Sequence, residues 1–111
     1  MQNAKMQDLT PIFRKRKNIA AVYIFGSTAT GRDRRGSDID LAIIVKKAIA
    51  NRERLKLEAD LSSLLRQDVD LVVFGHAALL LQHQILKYGR LVCENDPAER
   101  VRQEVRARAE Y

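Results

Sequence analysis

Seven apolar residues in a row, Ile19 to Phe25 (IAAVYIF), stop abruptly at Gly26-Ser27. The run is of strand length and rich in β-branched and aromatic residues, so it reads as a buried strand. A polar, arginine-rich loop follows. Asp38 and Asp40, one residue apart, then open a second apolar run, DIDLAIIV, over 38–45. Whatever fold the chain adopts must accommodate two buried strands joined by that loop. One strand ends in a Gly-Ser corner, and the other begins with a carboxylate pair.

The remaining elements complete an α-β-β-α-β-α-β-α order. VDLVVF (69–74) reads as a third strand and RLVCE (90–94) as a weaker fourth. Thr10 is positioned to cap a helix with Pro11 at its first position, and an earlier helix start is left open. Asn51 can cap the next helix, where Leu57, Leu61, Leu64 and Leu65 form an apolar stripe at helical spacing. HAALLLQHQILKYG (76–89) reads as another helix, with Gly89 just past its end. Asp96, Pro97 and Glu99 carry a capping-box signature for a last, highly charged helix over about 97–110, whose only large apolar residues are Val101 and Val105. With so little to bury alone, that helix is a candidate docking surface. The helix between the second and third strands requires a right-handed parallel crossover. The loop between the first two strands, about a dozen residues, fits an antiparallel pair. The order therefore predicts an α/β (α+β) protein with a mixed four-stranded sheet and helices packed against it.

At 111 residues the length predicts a single domain over 1–111. The net charge of +6 favours an anionic partner without choosing among nucleotide, RNA and an acidic protein surface. One cysteine, Cys93, excludes an intrachain disulfide framework. The N-terminus has no signal-peptide pattern, and the longest apolar run is too short to cross a bilayer. A cytoplasmic protein without membrane association is expected.

The predicted topology gathers Ser27, Asp38, Asp40 and Asp70 at one edge of the sheet. Asp38 and Asp40 project from the same strand face. Two such carboxylates repel by roughly 4 kcal/mol at ~4 Å with an effective dielectric near 20, unless something positive sits between them. Mg²⁺, a hard cation held by a few carboxylates plus substrate phosphates, fits that position. Asp70 opens the third strand within reach of the same cluster, with Asp68, two residues earlier, as the alternative ligand. Two metals on three carboxylates can activate an attacking hydroxyl and steady a leaving oxygen in displacement at phosphorus. Gly26 allows close backbone approach and Ser27 offers a hydroxyl at a helix start suited to phosphate. Arg32, Arg34 and Arg35 are either further phosphate contacts or solvated loop charges. His76 and His83 lack a partner motif and read as structural or surface residues, and Cys93 reads as a small packed hydrophobe. Arg14 to Lys17 read as a solvated helix end.

These residues resemble the DNA polymerase β-type nucleotidyltransferase superfamily, whose signature is G-S, about ten residues, D-x-D and a third acid on a later strand. The short length and the ending ILKYGRLVCE resemble its minimal nucleotidyltransferases, and the similarity covers about residues 10 to 95. The resemblance implies transfer of AMP from Mg²⁺-bound ATP, two ions being used, to a hydroxyl, with release of pyrophosphate. Asp38 and Asp40 would bind the metals. Asp70 would hold the metal that activates the hydroxyl, and Gly26 and Ser27 would contact the β- and γ-phosphates. Many minimal members are antitoxins paired with a HEPN-domain ribonuclease toxin, so the resemblance also implies a hetero-oligomer and a toxin tyrosine as acceptor. Thr30 departs from relatives that carry Arg or Lys before the second glycine of the loop. The alternative is a non-catalytic antitoxin that neutralises by occlusion. A small-molecule acceptor, as in aminoglycoside-modifying relatives, is disfavoured by the positive charge. Polymerisation is disfavoured by the absence of template-handling domains.

Overall fold

The computed structural model describes residues 2–26 and 39–110. Its elements follow the expected order: α1 (Gln2–Arg14), β1 (Ile19–Phe25), β2 (Ile39–Val45), α2 (Asn51–Leu65), β3 (Val69–Val73), a 3₁₀ turn (Phe74–His76), α3 (Leu79–Tyr88), β4 (Arg90–Glu94) and α4 (Pro97–Ala109). The strands form one mixed sheet in the order β3-β2-β1-β4. β1 runs antiparallel to both β2 and β4, whereas β2 and β3 are parallel. The two uninterrupted apolar runs are thereby explained: they are the inner strands, covered on both faces, and every residue of β1 is buried.

One face of the sheet packs Val22, Ile24, Leu41, Ile43 and Leu71 against Leu9 and Phe13 of α1 and Leu57 and Leu61 of α2. The other face packs Tyr23, Phe25, Ala42 and Ile44 against Phe74, Ile85 of α3 and Ala107 of α4. Tyr23 and Phe74 meet ring to ring with centroids 6.3 Å apart.

Several local expectations are corrected. α1 starts at Gln2, so Pro11 lies inside the helix and Thr10 does not cap it. Leu9 and Phe13, four residues apart on either side of Pro11 and both fully buried, compensate for the hydrogen bond that proline cannot make. Asn51 is the first residue of α2 rather than its cap, and its Oδ1 accepts a bond from Arg54 Nε at 3.1 Å. Leu64 is 63% exposed and leaves the stripe that Leu57 and Leu61 bury. β3 ends one residue early because Phe74 begins the 3₁₀ turn, and α3 begins only at Leu79. Gly89 follows α3 but has an ordinary negative φ. It is needed for closeness instead: a Cβ there would stand 2.5 Å from the Ile85 carbonyl oxygen.

Two hydrogen-bond clusters fix the periphery. The outer edge of β3 is covered by α2. Ser62 Oγ accepts from the Val69 N–H (3.0 Å), Glu58 accepts from the Leu71 N–H (2.7 Å), and Arg54 donates to the Leu71 carbonyl (2.7 Å). These side chains occupy the backbone groups that would otherwise recruit a further strand. On the other side, the Asn95 amide donates to the carbonyls of Phe13 (2.8 Å) and Ile19 (3.0 Å), tying the α1–β1 turn to the end of β4.

Asp96 caps α4 as expected, accepting from the Glu99 N–H at 3.2 Å. The reciprocal half of the box is absent: the Asp96 N–H donates to Ala20, and Glu99 bonds Arg102 and Gln103. Asp96→Ala is expected to cost about 1 kcal/mol, the usual cost of removing an N-cap. The midpoint of urea unfolding checks this, and an unchanged midpoint would show that the cap contributes nothing.

Candidate active site

β1 ends beside the start of β2, and β2 begins beside β3. Phe25 is paired with Asp40, and Asp40 is paired with Asp70. Direct partners in neighbouring strands project from the same face, with strands about 4.8 Å apart. Two carboxylates from separate strands therefore stand side by side, as the predicted topology requires. Asp68 precedes β3, and its carbonyl accepts from the Ile39 N–H at 3.1 Å. The register thus pairs Asp70, rather than Asp68, with Asp40.

Gly26 completes the row. Its φ is +71°, in the left-handed region that glycine adopts without penalty. A Cβ on it would collide with the Asp40 carboxylate, so the chain turns hard against that acid. The corner inferred from sequence thus has two separate reasons to be glycine. Asp40 is half-buried, whereas Asp70 is exposed. Among the described residues no hydrogen bond or ion pair engages the Asp70 side chain.

Ser27 and Asp38 lie outside the described residues, as do Thr30, Arg32, Arg34 and Arg35. Among the described residues no three His, Cys, Asp or Glu side chains form a metal-holding group. Asp40 and Asp70 are the two members of the expected triad that the structure brings together. As hard oxygen donors in adjacent strands, they suit a small oxygen-seeking cation.

Beyond Asp70, at the outer edge of β3, lies a cleft of about 500 Å³. Apolar side chains of Ile49, Val72 and Leu81 line it, together with Arg54 and His76. Sequence reasoning missed this feature. No motif marks it, because the cleft arises where α2, the 3₁₀ turn and α3 meet around the edge strand.

Two rungs inward from Phe25 on the same face, Tyr23 donates to Glu104 of α4, whose carboxylate also accepts from Arg100 at 2.9 Å. Arg100 in turn bonds Glu94 of β4. Burial, and then the bond to Glu104, pushes the Tyr23 phenol well above its ordinary value. Burial pushes the Glu104 carboxyl up, but the bonds from Tyr23 and Arg100 outweigh it and hold the group below the ordinary carboxylate range. Partly buried Glu99 is lowered to about 2 by its bonds from Arg102 and Gln103. Carboxyls depressed in the folded state stabilise it above their unfolded pKa, about 4.3, and lose that contribution as pH falls through the folded value. The urea midpoint is therefore expected to fall between about pH 4.3 and 2. Glu104→Gln should flatten that decline, and an unchanged pH profile in this variant would show that Glu104 is not the linked group.

A family model described as polymerase beta, nucleotidyltransferase matches residues 7–98. The chain belongs to this nucleotidyltransferase family. Most of α4 lies beyond the matched segment. The chain is 38% identical over 69 residues to the protein adenylyltransferase MntA of Shewanella oneidensis, a stretch covering 62% of this chain and 50% of that protein. The match thus spans half the length of that relative. Among solved structures, a toxin–antitoxin complex with AMP-PNP aligns at a TM-score of 0.79 and 28% identity, covering 100% of this chain and 87% of the matched one. A tri-AMPylated Shewanella oneidensis HEPN toxin in complex with its MNT antitoxin aligns at a TM-score of 0.79 and 25% identity, with the same coverage. These neighbours share the nucleotidyltransferase fold that the resemblance implied. No helix among the described residues is long and apolar enough to cross a membrane.

Proposed function

We propose that this nucleotidyltransferase moves AMP from ATP to a tyrosine hydroxyl of a cognate HEPN-domain toxin, and so acts as its antitoxin in a cytoplasmic hetero-oligomer. The observation that carries the reading is the pairing of Asp40 with Asp70 in neighbouring strands, with Gly26, just past the end of β1, set against the Asp40 carboxylate. The similarity to MntA and to two toxin–antitoxin complexes, one holding AMP-PNP and one an AMPylated toxin, supports the choice of nucleotide, acceptor and partner.

In this reading Gly26, with Ser27 after it, lets the triphosphate tail come against the backbone. Asp40, together with Asp38, and Asp70 would hold Mg²⁺. Two such ions, when bound, neutralise charge on the transferred phosphoryl group and on the leaving pyrophosphate. Asp40 sets the depth of the site, because the turn at Gly26 is packed against its carboxylate. Asp70, exposed on the open side, faces the entering hydroxyl. The acceptor oxygen bonds the α-phosphorus. The bond from that phosphorus to the oxygen bridging the β-phosphate breaks, and pyrophosphate leaves with the electron pair. The hydroxyl proton passes to water at the exposed Asp70 end.

The test is to incubate the protein with Mg-ATP and its HEPN partner and measure the partner's intact mass. Addition of AMP units, dependent on Mg²⁺ and abolished by chelation, is the expected result. Full neutralisation of the toxin with unchanged mass would instead establish the occluding antitoxin.

A further inference from the structure

We propose that Arg90 and Lys87, on the turn from α3 into β4, form a cationic clamp on the terminal phosphates of ATP. This inference rests on the transferase reading above and adds residues that it does not use. The sheet runs β4, β1, β2, β3. At the end where β1 stops, Arg90 opens β4 directly opposite Ile24, two residues before Gly26. Asp40 and Asp70 follow on β2 and β3. A cation, the glycine corner and two carboxylates thus succeed one another across this end of the sheet, with strands about 4.8 Å apart. With the triphosphate tail at Gly26 and the acids on one side of it, the terminal phosphates face the β4 side.

Gly89 brings the turn this close. A Cβ on it would stand 2.5 Å from the Ile85 carbonyl oxygen and 3.4 Å from that of Ile24, so the turn is pressed against the end of β1. Lys87 and Arg90, on either side of it, are both exposed. α3 packs through Ile85 on the sheet face that carries Phe25, whereas Arg90, opposite Ile24, belongs to the other face. The two cations therefore flank the corner from both faces. Among the described residues neither makes an ion pair, whereas Arg100, Arg102 and Arg108 are each bonded to a glutamate. The Lys87 ammonium lies 5.3 Å from the centroid of the Tyr88 ring, a contact that leaves its charge available. Pyrophosphate departs with the electron pair, so negative charge grows on the tail during transfer. A guanidinium meets phosphate oxygens through two parallel N–H bonds and suits that charge.

Calorimetric titration with two nucleotides tests the inference, because AMP lacks the phosphates that the clamp would hold. Replacing both residues, Lys87→Ala with Arg90→Ala, is expected to weaken the affinity for AMP-PNP with Mg²⁺ by about tenfold or more, while the affinity for AMP stays within twofold. Transfer should fall further than affinity, since the clamp also acts on the departing pyrophosphate. Arg90→Lys alone keeps the charge but loses the paired bonds, and should lie between the two. Both changes are at exposed positions, and thermal unfolding verifies that the variants are folded. AMP-PNP affinity unchanged in the double variant would overturn the proposal. Equal losses for AMP-PNP and AMP would overturn it too, because the turn would then shape the nucleoside site or the fold. A wild-type protein that binds AMP-PNP but transfers no AMP removes the transferase reading, and the comparison of the two nucleotides still decides the clamp. A wild-type protein that binds no AMP-PNP overturns both.

Discussion

Asp40→Asn is expected to reduce AMP transfer by roughly 10²- to 10³-fold, the scale seen when one group preorganised on transition-state charge is lost. The fold should survive. Asp40 sits at the start of β2, half-buried, outside the apolar clusters on either face of the sheet. The substitution keeps the side-chain shape and removes one of two neighbouring negative charges, so the unfolding midpoint without ligand should change little. The gain in stability on adding Mg-ATP is a second readout. A ligand at 100 times its Kd stabilises by about 2.7 kcal/mol, and the variant should lose most of that increment. Intact-mass measurement of the partner together with thermal unfolding with and without Mg-ATP checks both effects. Full transfer by the Asn variant would remove Asp40 from the reaction.

Gly26→Ala should damage the protein in two separable ways. A residue with a Cβ at φ +71° costs roughly 1–2 kcal/mol in the left-handed region. The new methyl group also meets the Asp40 carboxylate, which must swing away or be pushed from its place. The expected outcome is a destabilisation of about 1–2 kcal/mol with at least a tenfold loss of transfer. Gly26→Asn separates the causes. Asparagine tolerates the left-handed region better than alanine yet still carries a Cβ. It should recover part of the stability and none of the activity. Recovery of both would show that backbone strain alone, and not contact with Asp40, makes this position glycine.

The two central strands were legible because a continuous apolar run of strand length has little choice but to be buried on both faces. The crossover rule then made β2 and β3 parallel, and this parallel pairing puts Asp70 beside Asp40. The N-cap at Asp96 was legible for a similar local reason, since the cap, the proline and the first turn lie within four residues. Other features were not. Leu64 matched the helical stripe by spacing but turned outward, because α2 lies over the edge of β3 rather than across the middle of the sheet. Pro11 looked like a helix start, and only the burial of Leu9 and Phe13 shows why the helix runs through it. The docking role expected of α4 is only partly separable from folding. Its inner face is engaged through Ala107, Glu104 and Gln103, while Val101 and Val105 remain 46% and 58% exposed.

Local chemistry in the chain was enough for the strand and helix order, the glycine corner and the candidate acids, since each depends on residue type and short spacing. Tertiary structure alone decided which acids share a rung, how α2 seals the edge of β3, and where a cleft opens beside Asp70. Those outcomes depend on contacts between segments tens of residues apart, such as Leu71 with Glu58 and Arg54, or Asn95 with Phe13 and Ile19. Periodicity carries no record of such partners, because many pairings are compatible with one pattern and packing selects among them.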